Sequence, residues 1–309
     1  MIYVSSGHEK GIGLEVFFKS AILFDQKKID QFLLVGNKLA ATNTLKKINL
    51  DFSFQKQKII IGNTHIPFWQ IKKDRCLSHS SSSILACLSK IKPHDILFTL
   101  PTTKSELKYK KKVFLGHTDF LRNFYKRSNL SMNFFSPQLK ICLLTDHLPL
   151  ADVSKNITSK LIVERISTSL QGMEKYFRQP KVIYLSGINP HAGEGGILGK
   201  EDNKISKAIK VLEKKYKKIK FIGPLSADML HLKFEPNNSN NFFVYAHHDQ
   251  ALTMFKQKSR TLGANITFGL PFLRLSVDHG TAFDIYGKNG ADYSGCFYNM
   301  KLALATKQK

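Results

Sequence analysis

Three of the eleven histidines share one setting. His147 in "TDHLPL", His191 in "LSGINPHAGEGG" and His248 in "FFVYAHHDQ" each lie just past the end of an apolar run that reads as a strand. Taken singly, each is an ordinary hydrogen-bonded loop side chain, and His147 beside Asp146 is a local ion pair. Taken together, three imidazoles from three turns could bind a divalent ion and leave a coordination position for substrate or water, which is a catalytic type of site. On that reading Gly187, Asn189 and Pro190 shape the turn that aims His191. A second polar group follows in residues 251–282, where Lys256, Asn265 and Arg274 precede a "VDHGT" turn. A lysine, an amide and a guanidinium suit an oxyanion or a phosphate, the guanidinium offering paired donors; singly, each is a surface side chain. In "GHTDF" (116–120), His117 and Thr118 stand where a loop enters a helix, so the hydroxyl either caps the helix or helps hold a phosphate.

These residues need a frame. Short apolar runs recur at 1–5, 32–36, 58–62, 95–100, 140–145, 181–186, 220–223 and 242–246, and stretches with helical spacing lie between several of them. That alternation predicts an α/β architecture with a mainly parallel sheet. Ligands in such sheets bind outside the carboxyl ends of the strands, where the three histidines are expected. Ile205, Ala208, Ile209, Leu212 and Tyr216 fall on one helical face and leave the lysines of "EKKYKKIK" (213–220) on the other. The "SHSSSS" tract (78–83) reads as a solvated loop. Gly7, Gly11 and Gly13 do not form G-x-G-x-x-G, so they predict a tight strand-to-helix turn and not a dinucleotide fingerprint.

Composition narrows the class. With 309 residues, 42% hydrophobic and 11% aromatic, the chain suits two ordinary domains or one large one. A formal charge of +24 makes nucleic-acid binding a rival reading. The lysines are spread along the chain, in runs such as "KYKKK" (108–112), and no finger, basic zipper or RNP-like motif accompanies them. No stretch approaches the roughly 20 apolar residues of a membrane span, so a soluble, cytoplasmic protein without a membrane partner is expected. Cys76, Cys87, Cys142 and Cys296 form no C-x-x-C pair and read as free thiols.

The motifs "GHTDF", "TDHLPL", "LSGINPHAGEGG", "HHDQ" and "GANITFGLPFLRLSVDHGTA", in that order over about two-thirds of the chain, resemble the 4-hydroxythreonine-4-phosphate dehydrogenase family of the vitamin B6 pathway. The resemblance implies an isocitrate/isopropylmalate dehydrogenase-like fold, two α/β/α domains with the active site in the cleft between them. The first domain would comprise 1–115 plus 266–309. The second, 116–265, would carry the metal-binding histidines and a homodimer interface. It implies metal ligands His147, His191 and His248, the last contributed across the dimer. Substrate contacts would come from His117, Thr118, Lys256, Asn265 and Arg274, with Lys256 a proton-transfer residue or a partner of the phosphate. The implied chemistry is oxidation of 4-phosphooxy-threonine by NAD or NADP with one divalent ion (zinc, cobalt or magnesium), then decarboxylation to 3-amino-2-oxopropyl phosphate. Phosphorylated threonate or erythronate are alternative substrates, because "GHEKGIGLEV" departs from the family's first turn at His8, Glu9, Lys10 and Leu14. Asp146, Ser226 and Ala251 depart as well, without removing a ligand.

Overall fold

The computed structural model describes residues 1–72, 76–235, 238 and 240–307. The chain divides into two compact units, Met1–Lys126 with Leu270–Lys309, and Arg127–Gly269. The first begins with β1 (Ile2–Ser5), α1 (Gly13–Ala21), α2 (Gln26–Ile29), β2 (Phe32–Gly36), α3 (Lys38–Lys47), β3 (Ser53–Gln55), β4 (Lys58–Ile61) and β5 (Thr64–Gln70). It continues through α4 (His79–Lys90), β6 (Ile96–Thr99), β7 (Lys108–Tyr109), β8 (Lys112–Val113) and α5 (His117–Phe124). The second unit runs β9 (Ser131–Phe135), β10 (Lys140–Leu143), α6 (Leu150–Asn156), α7 (Ser159–Tyr176), β11 (Val182–Ser186), α8 (Asn203–Lys215), β12 (Lys220–Leu225), β13 (Asn241–Tyr245), α9 (His248–Ser259) and β14 (Ala264–Phe268). The chain then returns to the first unit with β15 (Leu273–Val277) and α10 (Ser294–Lys307).

The first unit orders its strands β15-β6-β1-β2-β5-β4-β3. Pairings from β15 to β5 are parallel, whereas β4 and β3 are added antiparallel. In the second unit the order is β12-β11-β13-β10-β9-β14, parallel as far as β10, with β9 antiparallel to both of its neighbours. Central parallel strands covered on both faces read as unbroken apolar runs, and β6 and β13 are buried along their whole length. All eight expected runs are strands; seven have at least one parallel neighbour, and β4 pairs antiparallel on both sides. Of the strands that sequence reading passed over, β9, β14 and β15 carry Asn133, Asn265 and Arg274 inside them, so polar residues broke the apolar pattern. The α8 face is as expected, with Ile205, Ala208, Ile209 and Leu212 buried. "KYKKK" forms the β7–β8 hairpin, turning through Lys110 and Lys111 at positive φ.

Two expectations need changing. The serine tract is no solvated loop: Ser78 caps α4 by accepting from Ser81 N at 3.1 Å, and Ser80, Ser81 and Ser83 are buried. Ser83 Oγ donates to Val35 O at 2.6 Å and accepts from Ser6 N at 2.9 Å, and Ser81 Oγ donates to Glu106 O at 2.7 Å and accepts from Lys108 N at 2.7 Å. Small hydroxyl side chains let the helix approach strand ends whose backbone groups would otherwise lack partners. The first unit also extends to 126, where 115 was expected, and resumes at 270, where 266 was expected. Phe120 and Phe124 of α5 pack on Tyr109, and Tyr125 packs on Phe272, so α5 belongs with the first unit. No helix among the described residues is long and apolar enough to cross a membrane.

Candidate functional site

The second unit carries the histidines of interest. β11, β13 and β10 are adjacent and parallel, with Leu185 level with Val244 and Leu143 level with Tyr245, so the turns bearing His191, His248 and His147 leave one edge of the sheet together. Two further rungs extend the β10–β13 ladder past the strand ends: Leu144 N donates to Tyr245 O at 2.9 Å and Thr145 N to Ala246 O at 3.1 Å. Thr145 Oγ1 adds a bond to Ala246 O at 2.8 Å. His147 and His248 follow, their ring centroids 5.4 Å apart with planes inclined at 43°. His248 Nδ1 is 2.6 Å from Asp249 Oδ1. That bond turns the opposite nitrogen, Nε2, away from the carboxylate, which is how second-shell carboxylates orient metal-binding histidines. It also holds the exposed Asp249 carboxyl below its ordinary range. His247, the residue before α9, is half-buried, and desolvation lowers its pKa.

His191 sits in an unusual turn. Residues 191–196 all have positive φ, including the non-glycine His191 (50°), Ala192 (53°) and Glu194 (43°). L-residues pay about 1–2 kcal/mol each for the left-handed region, so the turn must be held from outside. Asp202, buried at 5% exposure, does so. Its carboxylate accepts from Ile188 N at 2.6 Å, Asn189 N at 3.2 Å and Asn189 Nδ2 at 3.0 Å. Glycine is required where the turn passes this carboxylate, since a Cβ on Gly187 would lie 2.9 Å from Asp202 Oδ1. The structure brings His147 and His248 together as a pair, and His191 stands on the turn that follows the neighbouring strand β11. Among the described residues of this one chain, no three His, Cys, Asp or Glu side chains are arranged to hold a metal ion.

The other candidates divide between the units. Lys256 lies exposed on α9 and Asn265 is half-buried on β14. In the first unit Arg274 is buried on β15 at 2% exposure, donating from Nε and Nη2 to Thr99 Oγ1 at 3.1 and 2.7 Å. Burial draws its pKa down to about 9, which leaves it a cation at neutral pH. His117 opens α5 with its pKa held well below the ordinary value by desolvation and then by the Arg274 guanidinium, so its imidazole is neutral at pH 7. Thr118 is buried but does not cap the helix; Asp119 reaches back instead, Oδ2 accepting from Leu115 N at 3.1 Å. The glycines after β1 serve packing: a Cβ on Gly7 would stand 2.3 Å from Pro101 O and one on Gly13 3.1 Å from Leu100 Cβ.

Sequence reading missed three side chains. Asp202 and Gln250 act through backbone groups far away in the chain, which residue type alone does not signal. His79, in the serine tract, makes a 2.8 Å bond to Ser6 Oγ, and desolvation lowers its pKa. Of the cysteines, Cys87, Cys142 and Cys296 are buried and Cys76 is exposed; burial raises the three buried thiols, Cys142 and Cys296 to about 12.

Comparison with known proteins identifies the family. Residues 37–303 match the family described as pyridoxal phosphate biosynthetic protein PdxA. A 4-hydroxythreonine-4-phosphate dehydrogenase of Sulfurihydrogenibium sp. is 30% identical, covering 99% of this chain and 98% of its own. That of Helicobacter acinonychis is 32% identical over 94% of each. Among solved structures, the enzyme of the same name from Burkholderia phymatum superposes with a TM-score of 0.73 at 26% identity, over 99% of this chain and 97% of that one. A protein from Salmonella typhimurium described as a putative enzyme of that name gives 0.76 at 22% identity, covering 99% of each, which speaks to the fold. No relationship to nucleic-acid-binding proteins is needed to explain the lysines, which at α8 occupy the solvated face.

Proposed function

This chain belongs to the PdxA family of pyridoxal phosphate biosynthesis, and on that premise we propose that it is the dehydrogenase that oxidises 4-hydroxythreonine 4-phosphate. The secondary alcohol gives up a hydride to NAD or NADP and a proton to the protein or solvent. The resulting β-keto acid loses CO2 and leaves 3-amino-2-oxopropyl phosphate. The observation that carries the reading is the His147–His248 pair at the carboxyl edge of a parallel sheet, with His191 on the neighbouring turn.

The donor set fits a divalent ion of borderline softness. Two imidazoles with centroids 5.4 Å apart suit ligands of one cation, and Asp249 fixes the His248 tautomer. His147 and His191 would hold it together with His248, which the family resemblance assigns across the dimer and which also stands beside His147 of its own chain. Nitrogen donors favour zinc or cobalt; magnesium would need substrate oxygens to complete its shell. The chemistry that a bound divalent ion supplies is Lewis acidity toward the alcohol oxygen and toward the carbonyl that replaces it. The chain's own residues do the rest. Arg274, a buried cation, binds the phosphate or carboxylate, and neutral His117 can donate a hydrogen bond without adding charge beside it. Thr118 and Asn265 contribute hydroxyl and amide contacts to the substrate. Lys256 exchanges a proton with the reacting centre or pairs with the phosphate.

The functional unit in this reading is a homodimer. Ile197 and Leu198, just beyond the His191 turn, and Met229 and Leu232, on the packed 3-10 segment Ala227–Lys233, are exposed apolar side chains next to the proposed metal site. A second copy would cover them. Ile197→Asp should yield a monomer by light scattering and lose activity with it. The direct test is purified protein with 4-hydroxythreonine 4-phosphate, NAD and zinc. NADH should form, and its failure to exceed a chelator-treated control would refute the assignment.

A further inference from the structure

Gln250 lies in the first turn of α9, two residues beyond His248. Both ends of its amide are used. Oε1 accepts from Ala246 N at 2.9 Å and from Ser186 Oγ at 3.0 Å, while Nε2 donates to Gly187 O at 2.9 Å. Ser186 Oγ in turn accepts from Ala246 N at 3.3 Å. Ser186 ends β11 and Gly187 opens the turn to His191, whereas Ala246 stands between β13 and His248. On its other side Ala246 accepts through its carbonyl from Thr145 N and Oγ1, two residues before His147.

The result is a strap running across three strands at their carboxyl ends: Thr145 to Ala246, Ala246 to Gln250, Gln250 to Gly187. Each member lies two to four residues from one of the three histidines. A parallel ladder fixes strands only as far as their last rung; beyond it the turns are free to diverge. A side-chain amide carries its acceptor and its donor on separate atoms, so Gln250 bridges the Ala246 N–H and the Gly187 C=O at once. Asn would be one methylene short.

We propose that Gln250 is a positioning residue which sets the His191 turn against the loops of His147 and His248, and so fixes the geometry of their metal centre. The metal part of this inference rests on the function proposed above. Outer-shell partners of metal ligands typically govern affinity by about 10–100-fold when removed, and Gln250 acts one step further out, through the backbone that carries the ligand.

The test uses the full-length protein titrated with cobalt(II), followed by visible absorption, and four variants. Gln250→Met, similar in size and without hydrogen bonds, should weaken cobalt binding by about 10–100-fold and alter the absorption band. Ser186→Ala, which removes one bond of the strap, should give a smaller loss. His191→Ala binds cobalt more weakly, and adding Gln250→Met to it should cost nothing further, because the ligand that Gln250 positions is already gone. Wild-type affinity and spectrum in Gln250→Met overturn the proposal, as does an equal loss in the His191→Ala background. If the wild-type protein takes up no cobalt at all, the metal reading falls, and amide exchange in metal-free protein decides the rest. Gln250→Met should then raise exchange at 187–191 and 246–248 together and leave β12 unchanged; unchanged exchange there removes the strap as well.

Discussion

Replacing Asp202 by Ala is the sharpest challenge to this account of the His191 turn. The carboxylate is almost fully buried and accepts three hydrogen bonds from residues 188 and 189, at 2.6, 3.2 and 3.0 Å. A bond to a charged acceptor is worth about 1.5–3 kcal/mol, and the donors here are partly exposed and regain water, so about 3 kcal/mol for the set is reasonable. Opposing it is the strain of His191, Ala192 and Glu194 in the left-handed region, about 1–2 kcal/mol for each. The two are of similar size. The bonds from Gly187 N to Leu225 O at 2.6 Å and from Gln250 Nε2 to Gly187 O at 2.9 Å hold only residue 187, so without the carboxylate the rest of the turn should open locally while the sheet persists. In amide exchange, Asp202→Ala should reduce protection at 187–199 by about 100-fold, the equivalent of about 3 kcal/mol, with β11 and β13 close to wild type. Asp202→Asn keeps one acceptor and should lie between. Wild-type protection in Asp202→Ala would show that the turn is self-supporting and that the strain argument is wrong.

Acid should destabilise the protein through its depressed histidines. Folded His117 and His79 stay neutral below the ordinary 6.5, whereas in the unfolded chain they take up protons. Their contribution is therefore complete above about pH 6.5 and is lost as pH falls toward the folded values, at up to about 1.4 kcal/mol per pH unit for a fully buried ring and less for half-buried ones. Urea unfolding between pH 7 and 5 measures this slope, and His117→Gln should flatten it. Gly172→Ala should destabilise the second unit by about 3 kcal/mol or more, because the new Cβ would stand 2.2 Å from the Phe268 ring; a melting temperature within a degree of wild type would contradict the packing. Arg274→Met removes a buried cation without opening a cavity. It should raise KM for the phosphorylated substrate by about 100-fold, the worth of a strong charge-assisted contact, while metal content stays constant. The double variant His147→Ala/His191→Ala should purify with less divalent metal than the wild-type protein, and equal metal content in both would remove those two ligands from the assignment.

How much of this was legible in the chain depends on how far each residue's task extends. Buried strands with parallel neighbours are apolar on both faces, so seven of the runs declared themselves from composition alone, and β4, antiparallel on both sides, did so through its three consecutive isoleucines. β9 and β15 did not, because Asn133 and Arg274 are polar residues buried inside strands where distant partners satisfy them: Ser169 for the Asn133 carbonyl and Thr99 for the guanidinium. The serine tract misled for the same reason. Four hydroxyl residues in a row look solvated until one sees which backbone atoms they meet, and Val35, Ser6, Glu106 and Lys108 lie far off in sequence.

The histidines could be picked out because metal binding and catalysis, the roles proposed for them, constrain residue type. What holds them could not, because support constrains geometry, and any group of the right reach could supply it. His191 announces itself between Pro190 and a run of glycines, yet the turn it occupies is left-handed through non-glycine residues and depends on a carboxylate eleven positions later. On the function proposed above the strain has a use: a chain free to relax would place His191 and Ala192 in the ordinary right-handed region and swing the imidazole elsewhere. That this chain instead spends Asp202 on one side of the turn and Gln250 on the other implies that the direction of the ring, and not merely its presence, is what the sheet edge is built to deliver.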